Sequence, residues 1–178
     1  MKTTQKMIAA LLTGGKETSA AKLVSGGGTG DLTAVVNVTF PPSGSTAIPV
    51  TQVTLSRLEG NPNGIWEVTA VGCNWLFVYT PKSGTTITSP LMVTGFGPQF
   101  EGQIGVVYIL DHLYQKIQVG DNFAMGSGGF SPPSKFSLGV RYTSSFQGGA
   151  QEGIAELVHA GGANFDFGAV MVKVLLSA

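Results

Sequence analysis

Glycine is the feature that most constrains how this chain folds, because 26 of its 178 residues are glycine and nine more are proline. Glycine weakens helices through its backbone freedom, and proline breaks them. The chain is therefore expected to form short strands joined by many turns rather than long helices. Hydrophobic residues make up 43% of the sequence, which is enough for a packed core and argues against disorder.

The small number of charges excludes several function classes. Only 11% of the residues are charged, and 10 basic residues balance 10 acidic ones. Nucleic-acid binding proteins need a basic excess, so no nucleic-acid partner is expected. The 2 histidines offer little for acid–base catalysis, and the single cysteine, Cys73, has no partner for an intrachain disulfide. No stretch approaches the ~20 apolar residues of a transmembrane helix.

The first 80 residues predict a small α+β unit, with one helix packed on an antiparallel sheet. Residues 3–12 have a partial apolar face and are followed by Gly14, which indicates a helix that ends there. Apolar alternation predicts strands at residues 32–40, 50–58 and 65–73. The turn signal Asn-Pro-Asn-Gly at 61–64 joins the last two of these strands, so we expect them to form a hairpin. Residues 25–30, rich in glycine, predict a flexible loop.

Residues 80–84 are polar and rich in turn formers, and we place a domain boundary there, between 1–80 and 81–178. Short apolar segments predict further strands at residues 75–79, 91–93, 104–110, 116–119, 136–142, 154–158 and 170–176. Many short strands separated by Gly and Pro turns are typical of an antiparallel β-sandwich. The predicted class is therefore mostly β, with a β-sandwich in the second half.

One predicted strand has a clear inner face. Phe136, Leu138, Val140 and Tyr142 alternate with polar or small residues, so we expect all four to point into the sandwich core. The strand at 104–110 is apolar on both faces, which predicts a central position in its sheet. We expect its Val106 and Tyr108 to meet the four side chains across the core.

The second half carries an ordered series of segments. Ile-Thr-Ser-Pro-Leu at 87–91, Val-Thr-Gly-Phe-Gly at 93–97 and Phe-Glu-Gly at 100–102 precede the strand at 104–110. The strand at 136–142, Gly-Ile-Ala-Glu-Leu at 153–157 and the terminal strand follow in order. This series resembles the immunoglobulin-like domain of bacterial spore germination over residues 81–178. It departs from the family at 159–163, where His-Ala-Gly-Gly-Ala replaces the frequent Ser-x-x-Asp-Gly.

The first half is similar to the segment that precedes this domain in many exported bacterial proteins, most clearly over residues 50–79. The resemblance implies an extracytoplasmic, often lipid-anchored bacterial protein. It implies a non-catalytic interaction module that needs no cofactor. The apolar run at 7–12 is too short for a signal peptide, so we expect an export signal to precede residue 1.

Two glycine-rich segments match phosphate-binding loops only in part. Gly14-Gly15-Lys16 is followed by Glu17, where the phosphate loop needs Ser or Thr to hold magnesium. The glycines at 26–30 lead into a predicted strand rather than a helix. No nucleotide site is expected at either place, and the segment at 26–30 is interpreted as a linker.

Acid–base and metal chemistry have few candidates. Asp111 and His112 are adjacent, so on a strand they point to opposite faces, and Asp111 is better explained as a turn residue. Glu156 and His159 are three apart on a predicted strand and also point to opposite faces. Zinc sites take three or four ligands, so no metal site is expected. Cys73 is interpreted as a small buried hydrophobic residue.

Two groups of residues keep rival functions open. Glu101 and Glu152 remain a candidate carboxylate pair of a glycosidase, because separation in sequence does not determine separation in space. Trp66, Trp75, Phe77 and Tyr79 favour core or interdomain packing, with a sugar-binding platform as the alternative. Five phenylalanines near Gly-rich loops either anchor a partner or fold back onto the core: Phe123, Phe130, Phe146, Phe165 and Phe167.

Together these observations predict binding without catalysis. The expected partner is a protein or a cell-envelope polymer, contacted through a sandwich edge or through the junction near Pro81. The partner can also be a second copy of this chain, because so few charges give little repulsion between copies. A carbohydrate- or peptidoglycan-binding module is the second hypothesis, and a hydrolase is the third.

Overall fold

The structure is a computed structural model. It describes residues 20–28, 30–39, 51–58, 65–127, 133–144, 146–160 and 167–177. The helix predicted at residues 3–12 lies outside these ranges. The described residues form strands and no helix: β1 (Ala20–Gly26), β2 (Thr33–Thr39), β3 (Thr51–Arg57), β4 (Trp66–Cys73), β5 (Phe77–Thr80), β6 (Thr86–Ile87), β7 (Leu91–Gly97), β8 (Gln103–Leu110), β9 (Phe123–Met125), β10 (Ser134–Val140), β11 (Ala150–Ala160) and β12 (Phe167–Ser177).

The strands form two sheets. The larger one has the order β1-β2-β3-β4-β12-β11-β8-β9, with β6 added to β12 in parallel. The smaller one has the order β10-β7-β5. Apart from β6, the strands of both sheets pair antiparallel. The protein is therefore mostly β, as the glycine and proline content predicted.

A first core cluster lies between the two sheets, an arrangement consistent with a β-sandwich. Phe136, Val140 and Tyr142 are buried in it, and the half-buried Leu138 packs against it. The predicted inner face of this strand is therefore confirmed. Because β10 alternates apolar with polar or small residues, its pattern alone identifies the buried side.

The prediction that Val106 and Tyr108 of β8 meet this face is wrong, because their neighbours Val107 and Ile109 do so instead. Val107 and Ile109 are buried in the first cluster, whereas Tyr108 packs against a second cluster on the other side of the sheet. Val106 shares the face of Tyr108, because side chains two apart on a strand point the same way. Both faces of β8 are apolar, so the hydrophobic pattern did not mark which side meets the smaller sheet.

The second core cluster lies on the opposite face of the larger sheet. Its buried members come from strands on both sides of the chain's midpoint: Ala34, Val38, Val53, Leu55, Val71, Leu110, Ile154, Ala169 and Met171. Val71 of β4 pairs with Met171 of β12, and this bridge joins β1–β4 to the later strands in one sheet. Leu76, also before residue 81, is 1% exposed in the first cluster.

Most predicted strands are present. β2, β3 and β4 lie where alternation predicted strands, and β3 pairs antiparallel with β4 as the predicted hairpin. The segment at 116–119 is not a strand and contributes isolated bridges at Lys116 and Gln118 instead. Three strands were missed, because their sequences show no clear alternation: β1, the two-residue β6 and the three-residue β9.

Candidate functional site

The outer face of the smaller sheet carries exposed aromatic rings. In β7, Val93 and Gly95 are buried, so Met92 and Phe96 point outward on the alternate face. Phe77 of β5 is directly paired with Phe96. We call Phe77, Tyr79, Met92 and Phe96 the aromatic patch.

The rings of the aromatic patch lie close together. Those of Phe77 and Tyr79 are nearly parallel, with centroids 6.5 Å apart and 13° between their planes. The Phe96 ring lies 6.4 Å from that of Phe77. Phe77 is 38% exposed and Tyr79 is 44% exposed. Large exposed rings that adjoin one another are a common mark of a binding surface.

Gly95 allows β5 to approach β7 at this point. A Cβ atom there would overlap the carbonyl oxygen of Phe77 and the ring of Phe136 beneath the sheet. Any larger residue would therefore push away either β5 or the core ring. A register shift between Val78 and Thr80 follows, and it marks a bulge that bends the edge strand at Tyr79.

A groove of about 600 Å³ runs over the same face, beside the aromatic patch. Side chains from three strands and from the end of β9 line it: Tyr79, Thr94, Met125, Ser127, Lys135 and Ser137. Thr94 and Ser137 are paired across β7 and β10, so their hydroxyl-bearing side chains lie side by side. The Ser137 hydroxyl donates to the Met92 sulfur at 3.2 Å.

A second groove, of about 540 Å³, lies on β2, β3 and β4. It is lined by neutral polar side chains such as Asn37, Gln52 and Thr54. Gln52 Nε2 donates to Asn37 Oδ1 at 3.4 Å, so the two amides are partly engaged with each other. The described residues that line it include no ring and no charge, so this groove has fewer groups to hold a ligand than the groove beside the aromatic patch.

The structure separates the aromatic residues that lie together near residue 80 in sequence. Trp66 packs against the second core cluster, and the Arg57 guanidinium lies 4.9 Å from its ring centroid. Trp75 packs against the first cluster and meets His159 edge to face at 5.2 Å. Of the four, Phe77 and Tyr79 are exposed, whereas the two tryptophans are half-buried.

The loop phenylalanines also have different surroundings. Phe123 is exposed on the edge strand β9, and Phe146 packs against the first core cluster. Phe130 and Phe165 lie outside the described residues, as does the side chain of Phe167. Of this group, Phe123 remains a surface candidate and Phe146 has folded back onto the core.

Asp111 has the turn role predicted for it. Its Oδ1 accepts the backbone N–H of Leu113 at 2.8 Å and that of Gln115 at 2.9 Å. The carboxylate therefore holds the loop after β8 in shape. His112 is exposed next to it, and no hydrogen bond between the two side chains is found in this loop.

Glu156 and His159 face opposite sides of β11, as predicted. His159 Nδ1–H donates to the carbonyl of Ile104, and its ring meets Trp75 on the side of the first cluster. Glu156 lies on the other side, paired with Tyr108 of β8 and Met171 of β12. Within the described ranges, no three His, Cys, Asp or Glu side chains lie close enough to hold a metal ion.

Glu156 is a buried carboxyl. It is 2% exposed, and its Oε1 has no hydrogen-bond partner. Burial raises its pKa from 4.5 to about 8, although the positive charge of Lys116 opposes that shift. Glu156 is therefore largely protonated at neutral pH, because removal from water disfavours the charged form.

Glu101 and Glu152 are not brought together. Glu101 lies in the tight turn between β7 and β8, with φ 51°, followed by Gly102 with φ 85°. Ile154, two residues after Glu152, pairs with Leu110 at the far end of β8. The length of β8 separates them by roughly 20 Å or more, at ~3.3 Å per residue.

Glu152 instead shares a lysine with Glu67. Lys173 Nζ lies 2.5 Å from Glu67 Oε1 and 2.9 Å from Glu152 Oε1. Burial lowers the pKa of Lys173, but the hydrogen bonds and charges of the two carboxylates outweigh it, so the net pKa is raised. This ion triad ties β4 to β11 and β12, which is a structural arrangement rather than an open pair of catalytic carboxylates.

Cys73 and the glycines at 26–28 have roles in the fold rather than in a binding site. Burial raises the pKa of the Cys73 thiol, which donates to the Leu76 carbonyl at 3.9 Å. The glycines at 26–28 lead into β2 as predicted, but they form the turn of the β1–β2 hairpin rather than a linker. Gly28 N–H donates to Asp31 Oδ2 at 2.8 Å. Residues 14–18 lie outside the described part of the chain.

Comparison with protein-family models, curated proteins and solved structures gives no match. No helix in the described part of the chain is long and apolar enough to cross a membrane. The candidate site, on the outer face of β5, β7 and β10, is therefore assigned from its geometry alone.

Sequence reasoning missed two parts of this site. Val93, Gly95 and Gly97 form the inner face of β7, so Phe96, which alternates with them, points outward. This alternation is the only sequence signal for the position of Phe96. Lys135 reaches the groove because β10 pairs with β7, and this register brings it opposite Phe96. Nothing in the local sequence around Lys135 signals that neighbour.

Proposed function

We propose that this chain is a non-catalytic interaction module that binds a macromolecule through the aromatic patch. Its partner is a protein or a cell-envelope polymer, and it works outside the cytoplasm of a bacterium, on the envelope or the spore. The patch is the observation that carries the proposal. Exposed rings supply large apolar contact area at small entropic cost, which is why they dominate binding surfaces.

The position of the aromatic patch supports this proposal. Its Phe77 and Tyr79 lie on β5, immediately before Pro81, near the junction where the sequence predicted a contact surface. β5 is also an edge strand of its sheet. An edge strand offers unpaired backbone groups, which add hydrogen bonds to the apolar contact.

The surroundings of the acid–base candidates support binding rather than catalysis. Asp111 is engaged with the backbone of its own loop, and Glu152 is engaged with Lys173. Glu101 is at the tip of an exposed turn. Asp111 and Glu152 therefore have structural roles, Glu101 lies apart from Glu152, and a hydrolase remains the least supported of the three hypotheses.

We further propose that residues 81–178 form an immunoglobulin-like sandwich of the kind found in bacterial spore germination, preceded by a small α+β unit in residues 1–80. The strands of residues 81–178 contribute to two antiparallel sheets that pack on a shared core, and this supports such a domain. The resemblance of residues 81–178, and that of the segment before them, support the rest of this proposal, including export and lipid anchoring.

The second candidate function is a carbohydrate- or peptidoglycan-binding module. The adjoining exposed rings of Phe77 and Tyr79 favour it, because exposed aromatic faces suit the apolar face of sugar rings. This candidate differs from a protein-binding module only in the partner, so both predict loss of binding when the rings are removed.

The proposal is tested by capture from bacterial envelope extracts on the immobilised chain. Replacement of Phe77 by Ser is expected to abolish capture, while Leu113→Ser, at an exposed apolar residue of the loop after β8, leaves it intact. Light scattering of the purified chain reports any self-association. Equal capture by both variants would contradict the proposal.

A broad hydrolase screen tests the absence of catalysis. We expect no turnover above background. Reproducible turnover that Glu101→Gln or Glu152→Gln abolishes would show that the chain is an enzyme.

A further inference from the structure

The groove beside the aromatic patch combines three kinds of chemistry on one sheet face. Tyr79 supplies an exposed ring, Thr94 and Ser137 supply hydroxyls, and Lys135 supplies a positive charge. These residues lie far apart in sequence and are brought together by the register of β5, β7 and β10. The groove volume of about 600 Å³ is within the usual range for a small-ligand site.

The charge in this groove has one sign. Among the lining residues that the structure describes, Lys135 is the one charged side chain. Within the part of the chain that the structure describes, it forms no ion pair. An unpaired ammonium beside hydroxyl groups favours a ligand that brings a carboxylate or another anion.

The neighbouring polar groups favour a glycan over a protein. Lys and Ser are depleted in protein–protein interfaces, whereas Lys135, Ser127 and Ser137 all line this groove. A sugar ring has C–H bonds on one face and hydroxyls at its rim. The C–H face packs on the negative face of an aromatic ring, and the rim bonds to serine and threonine hydroxyls.

We propose that this groove binds an acidic glycan, a chain of sugar rings that carries carboxylates, with one ring on Tyr79 and one carboxylate on Lys135. The proposal rests on the function proposed above, that the outer face of β5, β7 and β10 is the binding surface. It adds the ligand class. The hydroxyl-bearing side chains of Thr94 and Ser137 lie side by side in the same groove, where they can bond to the rim of a sugar ring.

The test uses the full chain and two matched probes, tetragalacturonic acid and its methyl ester, measured by calorimetry at low salt. The acid is expected to bind about tenfold more tightly than the ester, because the ester removes the charge that Lys135 meets. Lys135→Gln is expected to weaken binding of the acid about tenfold, and Tyr79→Ala at least about as much.

Two control variants isolate the site. Lys22→Gln removes an exposed charge on β1, at the far edge of the larger sheet, and Leu113→Ala removes an exposed apolar side chain. Both are expected to leave binding unchanged. All variants are first compared with the unmodified chain by thermal unfolding, so that a binding loss is not read from an unfolded sample.

The outcomes separate this inference from the proposed function. Equal binding of acid and ester, or equal effects of Lys135→Gln and Lys22→Gln, would overturn the acidic-glycan assignment. If glycan binding is absent but Tyr79→Ala still abolishes capture of an envelope protein, the assignment is wrong and the interaction module stands. If neither glycan binding nor capture of an envelope protein is lost in Tyr79→Ala, both proposals are wrong.

Discussion

Glu156 is paired with Tyr108 across β11 and β8, and Lys116 lies over that same tyrosine ring, 3.6 Å from its centroid. Tyr108 is therefore a neighbour of both the buried carboxyl and the cation. Lys116 is attracted to the face of the ring, while Glu156 Oε1 has no hydrogen-bond partner. Because the Glu156 carboxyl is buried, its protonation affects how the stability of the fold depends on pH.

We predict that stability falls as pH rises from about 4.5 to about 8, the range between the ordinary pKa of glutamate and the raised pKa of Glu156. In this range the folded state holds a proton that the unfolded state has released. The contribution of this group to stability is therefore fully present below the lower value and is lost as pH passes the upper one.

Glu156→Gln is expected to flatten this decline, because an amide has no proton to lose in the range. Urea unfolding at pH 5, 7 and 9 measures it. Glu101→Gln, at an exposed carboxyl, is the matched control and leaves the decline in place. An unchanged slope in Glu156→Gln would show that another group sets the pH dependence.

A second prediction concerns the two faces of β8. Ile109 is fully buried in the first core cluster, so Ile109→Ala is expected to destabilise the protein by about 2–5 kcal/mol. Val106 is half-buried on the other face, and Val106→Ala is expected to cost less. Chemical denaturation of both variants measures the difference. A larger loss for Val106→Ala would reverse the assigned faces.

The contrast between β10 and β8 shows how far the sequence determines this fold. In β10, Ser137 and Gly139 mark the outer side, so the inner face was predictable. In β8, Val106, Val107, Tyr108 and Ile109 are all apolar, and nothing local distinguishes the two sides. The two sides of β8 are distinguished only by the core cluster that each one contacts.

The candidate site was less predictable for a related reason. Phe77 and Tyr79 were recognised as a group with two tryptophans, but only packing shows that the tryptophans turn inward. Phe96 and Lys135 join the site through strand register, which is set by pairing over some 40 residues of intervening chain. Local patterns carry no information about such pairings.

A third prediction concerns the ion triad. Lys173→Met leaves Glu67 and Glu152 next to each other without their shared cation. The side chains are 24%, 35% and 55% exposed for Lys173, Glu67 and Glu152, so solvent screens their charges and the expected loss is only about 1 kcal/mol.

Added salt provides the diagnostic for this triad. Because salt screens both the ion pairs and the repulsion left by the substitution, the stability gap between Lys173→Met and the unmodified chain should narrow at 1 M NaCl. Lys22→Met, at an exposed lysine of β1, serves as the control and is expected to change stability little at either salt concentration. A gap that is independent of salt would mean that packing of the lysine stem, rather than its charge, is responsible.

The last prediction concerns the boundary placed at residue 80. Leu76 is 1% exposed in the first core cluster, and Val78 of β5 packs against the same cluster. A fragment of residues 81–178 would lose both side chains together with the edge strand that pairs with β7. We therefore expect a fragment of residues 74–178 to unfold at a higher urea concentration than 81–178. Loss of one large buried side chain alone costs about 2–5 kcal/mol. Equal midpoints for the two fragments would show that the sandwich is complete without β5, and that the chain divides at residue 80 as the sequence predicted.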